Sequence, residues 1–590
     1  MKRLLITFFT AFLLLSFVPM ASFAQISATG NDYYLRQATD AFENEKDPLK
    51  ALELINKQLS SSPRNIGALI LRSRILADMG NYGNALTDIN KALKINQSAN
   101  GGYSNPYLYW FKAVIYTEMD DNQKALANFR TAYTLAKKEK DENLHGISSA
   151  YADLLFSLDR QDEADDIYKA MLKRNDVDQV AIVGRARNMI VKGQSDEALR
   201  LLDKCLKLDS SYPEVYRFKT VAHDQLGQTV DAIKSAIRWL ELDDTADTDF
   251  IIKVMSKRFS YAEANLKSCI KNNEKSLIFL SVLAGLYEDN HKYKEAVKSY
   301  DDLEWNVGYF DEICHFRARC YDNLGMYAKA VEDITKVLQN RPIWVYYCER
   351  GSYYWHAGDL DKALSDFTSA IYDAPEESFG YYMRGWIYDT LGDTEKAMAD
   401  YDLGIELDND YPYLHLMRGE LLLSQGKREE AKKDFQAILL NDNEPSGGSC
   451  RHYALHFLGW DDEALEWMEK VIASDPDDYG VYYDKACLMA RMGRAKESIQ
   501  ALRTALEKGY RSFAHIRNDD DLDPIRNLPA FKALLEEFES KHRSTLEESS
   551  TSSPLIEGLI TEITMDDSTV SSLGLPLEMD GYLQEKTSVA

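Results

Sequence analysis

The chain has 590 residues, 45% hydrophobic and 28% charged, and its 14 Pro and 30 Gly argue against long disordered stretches before the C-terminal tail. A formal net charge of −26, without any stripe of clustered Lys and Arg, argues against a nucleic-acid surface, which has to neutralise phosphates. The acidity favours solubility and partners that are basic or neutral.

The N-terminus reads as a secretory signal over residues 1–24. Lys2 and Arg3 form the charged region, Leu4 to Val18 the apolar core, and Pro19 breaks it. Ser22 and Ala24 place small residues before a cut at Gln25. The apolar run is short for a membrane span, and no cysteine follows it to take a lipid. The expectation is an exported chain, periplasmic or outer-membrane-associated in a Gram-negative bacterium, that does not span the membrane once the signal is cleaved.

From residue 32 a small residue returns about every 34 positions. It falls at Ala51, Ala85, Ala125, Ala164, Ala198, Ala232, Ala262, Ala296, Ala330, Ala363, Ala397, Ala431 and Ala464, with Ser498 last. Up to about residue 260 the spacing is uneven, with steps of 40 and 39, and Thr39, Ser73 and Thr220 take a position that is Gly or Ala elsewhere. A helix over about 249–259 opens a shortened unit around Ala262. From 261 to 512 the steps settle at 33 or 34.

The stretch from Trp344 to Pro375 shows what each unit encodes. One helix is predicted over 345–357, a Gly358-Asp359 turn follows, and a second helix runs over 360–372 until Pro375 stops it. Gly351 and Ala363 are small because the two helices cross there, and Tyr354 and Phe367 fill the space beside the crossing. The same offsets recur as Gly385, Tyr388, Gly392, Ala397 and Tyr401, and again as Ala318, Tyr321, Gly325, Ala330 and Ile334. Self-similarity at this period marks an array of helical hairpins.

These residues resemble the tetratricopeptide repeat over about 32–510. The resemblance implies an all-α fold, a right-handed superhelical solenoid of antiparallel helix pairs with about 14 units. It also implies that the first helix of each unit lines a concave surface that binds polypeptides. Positions 2, 5, 9 and 12 of the family's unit face that surface. Carried over residue by residue, they and their neighbours nominate Phe316, Arg319, Trp355, Phe379, Tyr382, Trp386, Tyr413, Leu416, Tyr453 and Tyr483 as the partner-binding groove. Rigid aromatics with polar edges suit a peptide, because they bury area at little entropic cost. The basic clamp by which some members hold a carboxylate is not reproduced. At its places stand Ser281, Gly285, His315, Arg319 and Cys348, of which Arg319 alone carries a fixed positive charge.

Residues 513–543 read as a cap. An amphipathic helix from Pro529 to about Lys541 would close the exposed end of the core with Phe531, Leu534, Leu535 and Phe538. Residues 544–590 carry nine acidic residues against one Lys and read as a disordered acidic tail.

Catalytic signatures are absent: no Gly-rich phosphate loop, no His-Glu-x-x-His and no Gly-x-Ser-x-Gly. His452 and His456, four apart with Cys450 and Asp461 nearby, have the spacing of a metal pair, yet His452 occupies a packing position, so neither metal nor cofactor is expected. The seven cysteines keep no metal-like spacing and are odd in number, so at least one stays unpaired; Cys314 and Cys348 stand at neighbouring places of consecutive units. The resulting expectation is a non-catalytic scaffold or adaptor in the cell envelope that binds protein or peptide partners. Two alternatives stand beside it. One is an array attached to a lost or truncated retropepsin-like protease domain, for which only Asp567-Ser568-Thr569 comes near the required motif. The other is a glycan-binding protein using Trp and Tyr platforms.

Overall fold

The computed structural model describes residues 32–99, 105–272, 276–446, 448–474, 476 and 478–549. All regular structure among them is helical. The expected signal peptide, and the acidic tail beyond Ser549, lie outside the described residues. No helix among the described residues is long and apolar enough to cross a membrane.

The chain forms two compact units, dividing after Leu242. Among the described residues, the first contains six helix pairs, from Tyr33–Glu43 with Pro48–Ser61 to Pro213–Gln225 with Thr229–Leu242. The second contains eight, from Thr248–Ser256 with Phe259–Asn272 to Tyr479–Arg491 with Ala495–Lys508. These pairs correspond one to one with the recurring small residues of the sequence. Within each unit the pairs stack into an all-α solenoid. The division falls at 242 and not at the expected 260, because the short nine-residue helix Thr248–Ser256 packs mainly on Ser276–Asp289 and so belongs with the later pairs.

Local chemistry sets the helix ends. Asp47, Asn65, Asp121 and Asp359 accept from the backbone amide three residues on, satisfying one of the open donors of each helix start. Gly358 adopts φ 83°, a left-handed turn that allows the Asp359 amide to close on the Tyr354 carbonyl at 2.8 Å.

The thirteen array alanines and Ser498 are all 0% exposed, which places each at a helix crossing. The glycines opposite them are small for the same reason. A Cβ on Gly351 would stand 2.9 Å from the Phe367 ring, and one on Gly419 would stand 2.6 Å from Phe435.

A second recurring device, charged and not apolar, holds the pairs together. The residue just before the crossing position of the first helix is often Arg, and the residue three after the array alanine is then Asp. Sixteen residues separate them, and they form forked ion pairs: Arg72–Asp88, Arg317–Asp333, Arg350–Asp366, Arg384–Asp400 and Arg418–Asp434, all with N–O distances of 2.6–3.1 Å. Several of these arginines also reach back to the preceding unit: Arg317 to Asp301, Arg418 to Asp402 and Arg72 to Asn56, each at 2.8 Å. One guanidinium thus joins three successive helices, a task its planar set of donors suits.

The last described helix runs Pro529–Ser549, six residues into the stretch expected to be tail. Its apolar face, Phe531, Leu534, Leu535 and Phe538, is buried.

Candidate functional site

In the second unit, the first helices of the pairs from Trp344 onward line a cavity of about 750 Å³. Trp355, Phe379, Tyr382, Trp386, Tyr413, Leu416, Tyr453 and Tyr483 all contribute to it, so eight of the ten nominated residues come together. The rings of Trp355, Trp386, Tyr382, Phe379 and Tyr413 form a continuous ladder. Trp355 and Trp386 lie 4.6 Å apart, Trp386 and Tyr382 6.1 Å, and Tyr382 meets Phe379 at 6.1 Å and Tyr413 at 5.9 Å. Tyr382, Tyr413, Tyr453 and Tyr483 are buried and form the floor, while Trp355, Phe379 and Trp386 stay half-buried at the rim.

Phe316 and Arg319 do not belong to this site. Phe316 stacks on Tyr300 at 6.2 Å and is buried, and Arg319 pairs with Glu288 at 2.7 Å. Each is consumed by the preceding helix pair, a neighbour that repeat position alone does not identify.

The cavity has a wall that the sequence did not announce. Gly509, at φ 123°, ends the helix Ala495–Lys508, and residues 509–521 then line the same cavity as the aromatic ladder. His515 inserts among Trp355 at 4.8 Å, Tyr483 at 5.3 Å and Trp386 at 5.6 Å, with its Nδ1 2.7 Å from the Tyr510 hydroxyl. The Tyr483 hydroxyl donates to Asp519 at 2.6 Å, and the Tyr327 hydroxyl donates to the Arg511 carbonyl at 3.1 Å. The sequence assigns residues 513–521 to an end cap alone. The structure makes this segment part of the concave site as well.

The lining is strongly acidic. Eight carboxylates (Asp322, Glu349, Asp389, Glu420, Asp484, Asp519, Asp520 and Asp521) face two arginines, Arg491 and Arg511. Arg491 is shared by Glu420 and Asp521, and Arg511 donates to the carbonyls of Leu506 and Tyr510. Burial raises the Asp521 carboxyl to about 7, with repulsion from Glu420 adding to it, and burial likewise raises Asp389, Glu420 and Asp484. Since these folded-state values lie above the unfolded ones, the folded unit holds these protons more tightly. The cluster's contribution to stability is therefore greatest at acid pH and falls as pH rises toward about 7.

Among the described residues, one group brings three possible metal ligands within 4.8 Å: Cys487, Asp519 and Asp521. Burial pushes the Cys487 thiol well above its usual range, so it stays protonated, and Asp521 is already engaged by Arg491. A metal needs the thiolate, so this set is a poor fit for one. His452 and His456 have different surroundings. His452 is fully buried, and burial lowers its ring to about 3, which keeps it neutral, while His456 pairs with Asp461 at 2.8 Å. All seven cysteines, Cys314 and Cys348 included, are free thiols.

Comparison with known proteins agrees with this architecture. The family model of the tetratricopeptide repeat matches residues 66–98, 106–139, 311–343 and 380–411. A chloroplastic protein of Arabidopsis thaliana is 36% identical over 81 residues, covering 13% of this chain and 24% of that protein. A DnaJ homolog subfamily C member 7 homolog of Schizosaccharomyces pombe is 24% identical over 213 residues, covering 36% of this chain and 38% of that protein. The chain thus spans well under half the length of either relative. Among solved structures, that of the Cut9–Hcn1 hetero-tetramer is 15% identical, covering 90% of this chain and 99% of that one, with a TM-score of 0.28. At that score the superposition carries no further inference.

Proposed function

We propose that this chain, which matches the tetratricopeptide repeat at four places, is a non-catalytic scaffold that binds polypeptide partners in the concave cavity of its second unit. The observation that carries this reading is the half-buried rim of Trp355, Phe379 and Trp386 above a tyrosine floor, opening on about 750 Å³. Rims of this kind concentrate binding energy in a few large rings. The acidic lining gives the cavity a preference for basic segments and speeds their encounter. We further propose that the protein works outside the cytoplasm, on the strength of the signal-like residues 1–24.

The test is affinity capture with the chain as bait, followed by quantitative mass spectrometry. Partners should fall at least about 10-fold with the double variant Trp355→Ala/Trp386→Ala, as expected when large anchors are truncated. They should be unchanged with Tyr372→Ala, a residue 91% exposed and outside the cavity. Equal recovery by all three baits would reject the reading.

A further inference from the structure

In five of the helix pairs an Asp near the crossing has an arginine partner, as the Arg–Asp forks show. The cavity breaks this habit. Asp389 and Asp484 line it, and neither carboxylate makes a hydrogen bond or ion pair with any described residue. The charged groups acting on Asp484 are all like-signed: Asp478 on the loop before its own helix, and Asp519 and Asp521 on the returning segment. Asp389 feels Asp520 in the same way. The two arginines of the lining are already engaged, Arg491 by Glu420 and Asp521, Arg511 by backbone carbonyls. Without a cationic partner these two carboxyls hold their protons more tightly than usual, and a cation entering the cavity would stabilise their ionised form; the indole rings of the same lining attract cations as well.

We propose that the cavity receives a guanidinium or alkylammonium group carried by a basic side chain of the bound polypeptide, with Asp389 and Asp484 as counter-ions and the Trp355 and Trp386 rings as walls. The volume, about 750 Å³, admits such a side chain with its flanking backbone. This inference rests on the binding role proposed above and names the chemistry of what is bound. Affinity would come from charge-assisted contacts made in a site already shaped for them.

The experiment uses the full chain and a blocked, fluorescently labelled heptapeptide with one central arginine between tyrosines and alanines. Its counterpart carries citrulline, the neutral isostere, at the centre. By fluorescence anisotropy at low ionic strength, the arginine peptide should bind about 10-fold more tightly than the citrulline peptide, the scale of one charge-assisted contact with a cation–ring contribution. Asp389→Asn/Asp484→Asn should erase that preference while circular dichroism stays unchanged. Equal binding of the two peptides, or a preference that survives the double variant, overturns the inference. Agmatine displacing the peptide at equal concentration would overturn the polypeptide source in favour of a free small cation. If partner capture fails with Trp355→Ala/Trp386→Ala but ignores Asp389→Asn/Asp484→Asn, the groove reading stands and the cation site falls.

Discussion

Replacing Arg317 with methionine is expected to destabilise the second unit by about 3–5 kcal/mol, the scale of removing one partner from a buried charge network. Arg317 is only 5% exposed and holds Asp333, Asp301 and Glu304 together. Methionine matches the length of the stem, so the loss comes from the carboxylates and not from a void, chiefly from Asp333, which keeps only Lys336 at 3.1 Å, whereas Asp301 and Glu304 reach solvent. Asp333 is itself nearly inaccessible and has nowhere to find water. Urea unfolding followed by far-UV circular dichroism would read the loss as a lower midpoint. Adding Asp333→Leu should restore part of it, because the most deeply buried of the three carboxylates is then gone. A single variant within about 1 kcal/mol of the wild type would mean that the ion pairs are surface decoration.

The second large effect is expected at Gly385. A Cβ there would stand 2.6 Å from Cε1 of Tyr401 and 3.3 Å from Cβ of Asp400. Tyr401 is 0% exposed, so its ring cannot swing away without disturbing the helix pair that holds it. Gly385→Val should cost about 3 kcal/mol or more through overpacking. Gly392, seven residues on, provides the contrast. It lies at φ 78° with open space where a methyl group would stand, so Gly392→Ala costs only the backbone strain, about 1 kcal/mol. Thermal unfolding of the two variants side by side tests whether close approach outranks turn geometry. Equal shifts would contradict the crossing argument.

Much of this was legible in the sequence, for a physical reason. In a solenoid each unit answers mainly to its neighbours, so a period of 34 residues states most of the contacts. Ala363, Gly351 and Phe367 specify a crossing by size alone, and the structure places them there. The Arg–Asp fork is equally local. Arg350-Gly351 with Asp366, and Arg384-Gly385 with Asp400, repeat a signal of charge beside the small residue. Apolar periodicity does not reveal it, because an Arg or Asp at such a place looks like any solvated helix face until its partner is known.

The returning segment is a different matter. Tyr327 meets Arg511 across 184 residues, and Tyr479 meets Asn323 across 156. Such contacts depend on small rotations summed over several pairs, which no single unit encodes. The same limit explains Phe316 and Arg319. Their repeat positions faced the groove, yet Tyr300 and Glu288 of the preceding pair claimed them.

The most direct measurement is site-specific photo-crosslinking. A benzoylphenylalanine at position 355 or 386 should form adducts with a polypeptide partner, and mass spectrometry should map them to a segment rich in lysine or arginine. The same group at position 372 or 305, where the native Tyr and Trp are exposed and outside the cavity, should form none. Adducts confined to positions 372 and 305 would show that partners use another surface and would contradict the concave site.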